Sequence, residues 1–218
     1  RYSIKHKRRC HFAYNRGVKR RADSLADAYS LAVMKFQNGD VFIDCGANYG
    51  DVKIWFDINS IDVEYIGIEP SPVEFSCLKD NVHPSVVHNL GLWNEDGELK
   101  FYVSSNGADS SLIKPAHYDQ EITTKVSRLD SMITSKVKCL KLEAEGAEPE
   151  ILLGLGDKLE LIEYITADLG YERGVEEEST LAPVTNFLLT RNFELVSMNH
   201  DRVCTLYRNL KYVSQSSD

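Results

Sequence analysis

The sequence predicts an α/β fold: a doubly wound, mainly parallel seven-stranded sheet that ends in an antiparallel hairpin. Three observations carry this expectation. Short apolar runs alternate with amphipathic segments along most of the chain. The first of these runs enters a glycine-bounded turn, Gly46-Ala47-Asn48-Tyr49-Gly50, and a short helical segment follows it. The last two strand-like runs are separated only by Asn199-His200-Asp201 and its neighbours, too short a link for a parallel crossover.

The elements follow in order. Leu25, Ala28, Tyr29, Ala32, Val33 and Phe36 fall on one helical face, so the spacing predicts a helix over 22–36, stopped by Asn38-Gly39. Val41–Cys45 is a buried strand, and Asp51–Ile58 is a helix. Glu64–Ile68 is a second strand, ending at Glu69-Pro70. Ser71-Pro72-Val73-Glu74 reads as a capping box with proline at the first helical position, opening a helix to about Val82. Val86–Leu90 is a third strand, and Leu99, Phe101 and Val103 alternate after the Asp96-Gly97 turn. The polar stretch 104–118 is long enough for a functional loop, and its segment Asn106 to Ser111 is expected to cover the site. Strands are expected at 122–126, 137–142 and 161–167, helices from Gly146 to Leu153 and over 176–190, and the closing hairpin at 193–198 and 203–207.

Charge divides the chain unevenly. Its 218 residues carry a formal net charge of -8. The first 21 contain nine Lys and Arg and no acid, whereas the rest holds 16 bases against 33 acids. The reading is a basic N-terminal arm, 1–21, before one domain, 22–218. The acidic body carries no specific nucleic-acid signal. The arm can fold back on that body, contact an anionic acceptor such as a phosphorylated glycan carrier, or touch a membrane surface. No apolar stretch has the length of a membrane span or signal core, so a cytoplasmic location is expected, with a segment before Arg1 left open. The five cysteines are scattered without a metal-ligand pair, which favours buried thiols in a reducing compartment.

In such a sheet ligands bind beyond the carboxyl ends of the strands, and four of these ends carry polar chemistry here. The first is Asp44 with Gly46 to Gly50, where the backbone can approach a ligand and the next helix offers N–H groups to an anion. The second is Glu69, placed to accept both hydroxyls of a ribose. The third is Lys141-Leu142-Glu143-Ala144-Glu145-Gly146-Ala147-Glu148. If 143 and 145 are extended they share a face, where clustered acids raise one another's pKa as a general base requires, or hold a divalent cation through oxygen. Glu143 can instead pair with a nearby base. The fourth is Asp168, before Gly170 and Tyr171. No metal site is assigned.

These residues carry a resemblance. Phe42 to Gly50 (FIDCGANYG), Gly67 to Pro72 (GIEPSP), Ser127 to Asp130 (SRLD) and Lys141 to Glu148 (KLEAEGAE) together resemble the FkbM-type S-adenosylmethionine-dependent methyltransferases of class I, Rossmann-like fold. The resemblance implies S-adenosylmethionine as cofactor and O-methylation of a sugar or another hydroxylated metabolite. By position it gives Asp44, Gly46, Ala47, Asn48, Tyr49 and Gly50 the methionine part, Glu69 the ribose with Pro70 and Ser71 beside it, and Asn89 and Leu90 the adenine. Glu143 stands where the family usually shows Asp, and Ala144 where a larger aliphatic is usual. A hydroxyl must lose its proton to accept a methyl group, so a base or a metal is expected, the base being Glu145 first, then Glu143, then Asp168; a divalent cation has no specific motif behind it. Asp109, Ser110 and Ser111 are the candidate contacts from the loop. Two other classes stay open, a nicotinamide-dependent oxidoreductase, disfavoured by the absent third glycine, and a non-catalytic nucleotide-binding scaffold derived from an enzyme.

Overall fold

The computed structural model describes residues 2–104 and 109–213. Helix α1 (Lys7–Ala13) and helix α2 (Val18–Ala28) precede β1 (Val41–Cys45), α3 (Asp51–Ile58), β2 (Glu64–Ile68), α4 (Pro72–Asn81) and β3 (Val86–His88). Then come β4 (Gly91–Leu92), β5 (Gly97–Val103), β6 (Gln120–Ser127), β7 (Val137–Leu142), α5 (Glu148–Leu153), β8 (Ile162–Asp168), β9 (Tyr171–Arg173), β10 (Glu178–Ser179), α6 (Leu181–Leu189), β11 (Phe193–Asn199) and β12 (Cys204–Asn209).

Seven strands form one sheet in the order β11-β12-β8-β7-β1-β2-β3. Pairings from β8 through β3 are parallel, and β12 runs antiparallel to both β8 and β11. The predicted closing hairpin is present, wedged so that its second strand meets the parallel block. Strand alternation gives the sheet two apolar faces. Ile43, Leu140 and Ile165 enter a core completed by Ile151, Val184 and Leu188 from α5 and α6. Phe42 and Cys139 enter the other, completed by Leu25, Tyr29 and Phe56 from α2 and α3.

Four expectations need correction. The helix expected over 22–36 begins four residues earlier, after Gly17 in a positive-φ conformation, and ends at Ala28. Ser30 is left-handed, and only a short 3-10 turn, Leu31–Met34, follows. The helix expected over 176–190 starts at Leu181, because residues 171–179 form the β9–β10 hairpin. Pro183 then falls in the first turn, where a missing N–H costs nothing. The capping box is built differently. Helix α4 does open with Pro72, but Ser71 makes no side-chain bond to the helix backbone and donates its hydroxyl to Glu74 instead. The β4-β6-β5 sheet was foreseen only as two isolated strands.

The N-terminal segment folds back on the body, and the 21/22 boundary lies inside α2. Asp51, at the start of α3, is buried and collects the Tyr2 and Tyr14 hydroxyls and Arg21 Nε, the last at 3.2 Å. Ser3 exchanges two bonds with the Asn81 side chain, and His6 Nε2 lies 2.6 Å from Glu74. No helix among the described residues is long and apolar enough to cross a membrane.

Candidate active site

A cavity of about 320 Å³ lies beyond the carboxyl ends of β1, β2 and β7, within the size range of small-ligand pockets (~300–1,000 Å³). Ile68, Leu90, Leu92, Phe101, Leu112 and Ile151 make one part of its wall apolar. The rest is polar and strongly acidic.

Lys141 organises the floor. It is buried, and its Nζ reaches Asp44 Oδ1 at 2.8 Å, Glu143 Oε2 at 3.1 Å, and the carbonyls of Cys45 and Gly46 at 3.2 and 3.1 Å. Two carboxylates facing one ammonium outweigh its burial and hold its pKa above the usual lysine value. Asp44 takes a second bond from the Tyr65 hydroxyl at 2.7 Å. Asp44 is fully buried and does not line the cavity, so it braces the turn from below.

The turn packs at backbone contact. Gly46 has φ +71, and a Cβ there would fall 1.8 Å from the Glu143 carbonyl oxygen. Gly46 and Ala47 both donate N–H to Ile68 O, Asn48 N donates to Glu69 Oε2 and Gly50 N to Ala47 O. Of the predicted turn residues, Gly46 and Asn48 line the cavity, whereas Ala47, Tyr49 and Gly50 do not. Asn48 Oδ1 is buried without a hydrogen-bond partner among the described residues.

Glu69 lines the cavity, held by Asn48 N–H at 2.8 Å on one oxygen and Ser71 N–H at 2.9 Å on the other. Burial pushes its pKa up to about 7, against those two bonds, with the Glu74 charge adding to the rise. Pro70, Ser71 and Leu90 line the cavity beside it. Asn89 does not. It ties the carbonyls of Glu69 and Pro70 at 2.9 and 3.1 Å.

The end of β7 separates its acids. β7 stops at Leu142, and Glu145 has φ +49, so 143 and 145 reach the cavity through a turn rather than by the expected strand alternation. Glu143 pairs with Lys141 and, at 3.0 Å, with Arg202 from the β11–β12 turn. Burial opposes its ionisation, but the two cations prevail and hold it well below the usual carboxylate range. Glu145 has no hydrogen bond or ion pair to its carboxyl group among the described residues. Burial, then the charges of Glu172 and Glu143, push its pKa well above the usual value. Asp168 is buried outside the cavity wall and bound by Arg202 at 2.6 Å, with burial raising its pKa against that pairing. Glu148 is spent on the N–H groups of Ala144 and Gly146 and the Thr180 hydroxyl.

Glu172 went unnoticed in the sequence. It comes from β9, lines the cavity, and is pushed up to about 8 by burial and the charges of Asp168 and Glu143. Its place is fixed by its neighbour: Arg173 binds Glu150 at 2.8 Å and packs its Cα where a Cβ on Gly146 would fall, 2.6 Å away. A short extended triplet just after Asp168 was the available signal. Arg202 and Arg21 also line the cavity unforeseen. Asp109, Ser110 and Ser111 line it as expected, and Ser111 Oγ donates to Glu145 O at 2.8 Å. Asn106, Gly107 and Ala108 lie outside the described residues. No group of three or more His, Cys, Asp or Glu among the described residues is arranged to hold a metal ion.

Among the described residues the arrangement offers an apolar slot, a carboxylate oriented by two backbone N–H groups, an orphan amide oxygen and an unpartnered carboxyl group. Known proteins resemble the chain in sequence and in fold. The family model described as the methyltransferase FkbM domain matches residues 44–212. Methyltransferase 1 of Beauveria bassiana is 25% identical over 175 residues, covering 65% of this chain and 69% of its own length. The hexuronic acid methyltransferase AglP of Haloferax volcanii is 24% identical over 183 residues, covering 80% and 73%. A candidate rRNA methylase of Clostridium thermocellum shares the fold, with a TM-score of 0.51 at 13% identity over 84% of this chain and 95% of its own.

Proposed function

The chain belongs to the FkbM methyltransferase family, and from that premise we propose that it moves a methyl group from S-adenosylmethionine to a hydroxyl of a sugar, a glycan or a related metabolite. The observation that carries the reading is Glu145, an unpartnered carboxyl group of raised pKa in the wall of the same cavity that Glu69 enters. Family membership displaces the nicotinamide alternative.

The residues fit the cofactor. Glu69, oriented by two backbone N–H groups, retains lone pairs for two ribose hydroxyls. Asn48 Oδ1 lacks a donor that an ammonium or hydroxyl would supply. Leu90 and its apolar neighbours suit a purine face. Bound there, S-adenosylmethionine would supply an electrophilic methyl on a sulfonium. Everything else falls to the chain. Glu145 in its ionised form accepts the acceptor's proton, and its raised pKa makes that form the stronger base. Glu143, held anionic by Lys141 and Arg202, is a poor base and contributes negative potential beside a cationic sulfonium. Asp168 serves Arg202. Ser110 and Ser111 border the space for the acceptor, and the sugar acid relative supports a carbohydrate acceptor.

Calorimetry with S-adenosylmethionine and NAD, then turnover of labelled cofactor against a panel of glycans and metabolites, tests this. Binding of the first ligand and transfer to a hydroxyl are expected. Failure to bind it overturns the reading, and binding without turnover across the panel favours the scaffold alternative.

A further inference from the structure

A cofactor amino-acid carboxylate has to be placed in a cavity whose wall carries six acids: Glu69, Glu74, Asp109, Glu143, Glu145 and Glu172. The glycine turn, the obvious anion site, has little to give. The N–H groups of Gly46, Ala47, Asn48 and Gly50 are already donated to Ile68 O, Glu69 and Ala47 O. A side-chain cation must therefore do this work, and the wall contains two, Arg21 and Arg202. Arg202 is committed, with Nε on Asp168 and Nη2 shared between Asp168 and Glu143.

Arg21 is differently placed. Only Nε is engaged, on Asp51 Oδ2 at 3.2 Å, and its side chain is 18% exposed. Among the described residues neither Nη group has a hydrogen-bond partner. Asp51, fixed by the Tyr14 hydroxyl at 2.6 and 2.8 Å, holds the guanidinium stem, leaving the fork free to meet a carboxylate. Asp51 also begins α3, directly after the glycine turn, so Arg21 is tethered to the same corner of the cavity.

We propose that Arg21 binds the amino-acid carboxylate of the cofactor, so that the N-terminal segment, which lies before the family match at 44–212, completes the cofactor site. The proposal rests on the methyltransferase reading. It explains the strong fixation of residues 2–21 on the body: a segment carrying a cofactor ligand must be held in register with the sheet.

The test compares S-adenosylmethionine with decarboxylated S-adenosylmethionine, which keeps the sulfonium and the amine, by calorimetry on the full chain. The wild type should prefer the carboxylated ligand. Arg21→Gln should lose about tenfold or more in affinity for it, equivalent to ~1.4 kcal/mol, while binding the decarboxylated ligand within twofold of wild type. Arg21→Lys should recover part of the loss. Equal losses for both ligands, no loss for either, or the selective loss appearing in Arg202→Gln instead would overturn the assignment. Should Arg21→Gln fail to fold, the wild type alone decides: equal affinity for the two ligands refutes a carboxylate contact. If the wild type binds neither, the methyltransferase reading itself falls.

Discussion

The two ends of the cavity treat acidic groups in opposite ways. At the β1–β2 end every carboxylate is spoken for: Asp44 by Lys141 and Tyr65, Glu69 by two backbone N–H groups, Glu74 by His6 and Ser71. At the β7–β9 end Glu143 is pinned by Lys141 and Arg202, but Glu145 and Glu172 line the wall without a hydrogen bond or ion pair to either carboxyl group among the described residues. Satisfied groups make a rigid, preorganised floor, while unsatisfied ones can exchange protons. Under the proposed function, recognition belongs to the first end and chemistry to the second.

The sharpest way to break the contrast is Glu145→Gln. If the unpartnered acid is the base, turnover should fall by ~10²–10⁴-fold, the usual weight of general-base catalysis, with affinity for S-adenosylhomocysteine within twofold of wild type. Loss of turnover and binding together would make Glu145 a structural residue of the first kind. The satisfied end should respond in stability instead. Lys141→Met leaves the buried Asp44 without its cation and Glu143 with Arg202 alone, and unfolding free energy in urea should drop by ~3–5 kcal/mol. A drop under 1 kcal/mol would show that the floor is not held by this ammonium. A smaller effect follows for Glu69→Ala: affinity for the cofactor should weaken about tenfold while melting temperature changes little. An unchanged affinity would remove the ribose assignment.

The same division marks how much of the molecule the sequence discloses. β1, α3, β2 and β7 fall where short apolar runs between turn residues place them, since a central parallel strand is buried on both faces and reads as continuous hydrophobicity. The glycine turn and Glu69 are local to those strands, so their placement is legible too. Glu172, Arg202 and Arg21 are not. Each reaches the cavity from an element whose position is decided by tertiary contacts: Arg173 against Gly146, the hairpin turn against Glu143 and Asp168, α2 against Asp51. Partner choice is equally hidden. Sequence spacing ranks Glu145 ahead of Glu143 without showing their partners, and it is Lys141 and Arg202 that separate them, one pinned anionic and one left to titrate.

Glu172 gives the finest probe of the acidic end, because its effect should be small and should have a definite sign. Its pKa in the folded chain is about 8, against ~4.3 for a free glutamate. Between those values the unfolded chain releases the proton first, so ionisation favours unfolding. Stability from this group is complete below about pH 4.3, is lost as pH rises toward 8, and levels off above it. Glu172→Gln removes that loss. The variant should match wild type below about pH 4 and melt higher at pH 8–9, by ~2–4 °C for each kcal/mol of relieved repulsion. Glu172 also raises Glu145 through like charge, so its neutralisation should move the acid limb of kcat to lower pH. A melting gain with an unmoved limb would place Glu172 in the wall without electrical contact with the base. A limb displaced toward higher pH would reverse the sign and dissolve the acid pair.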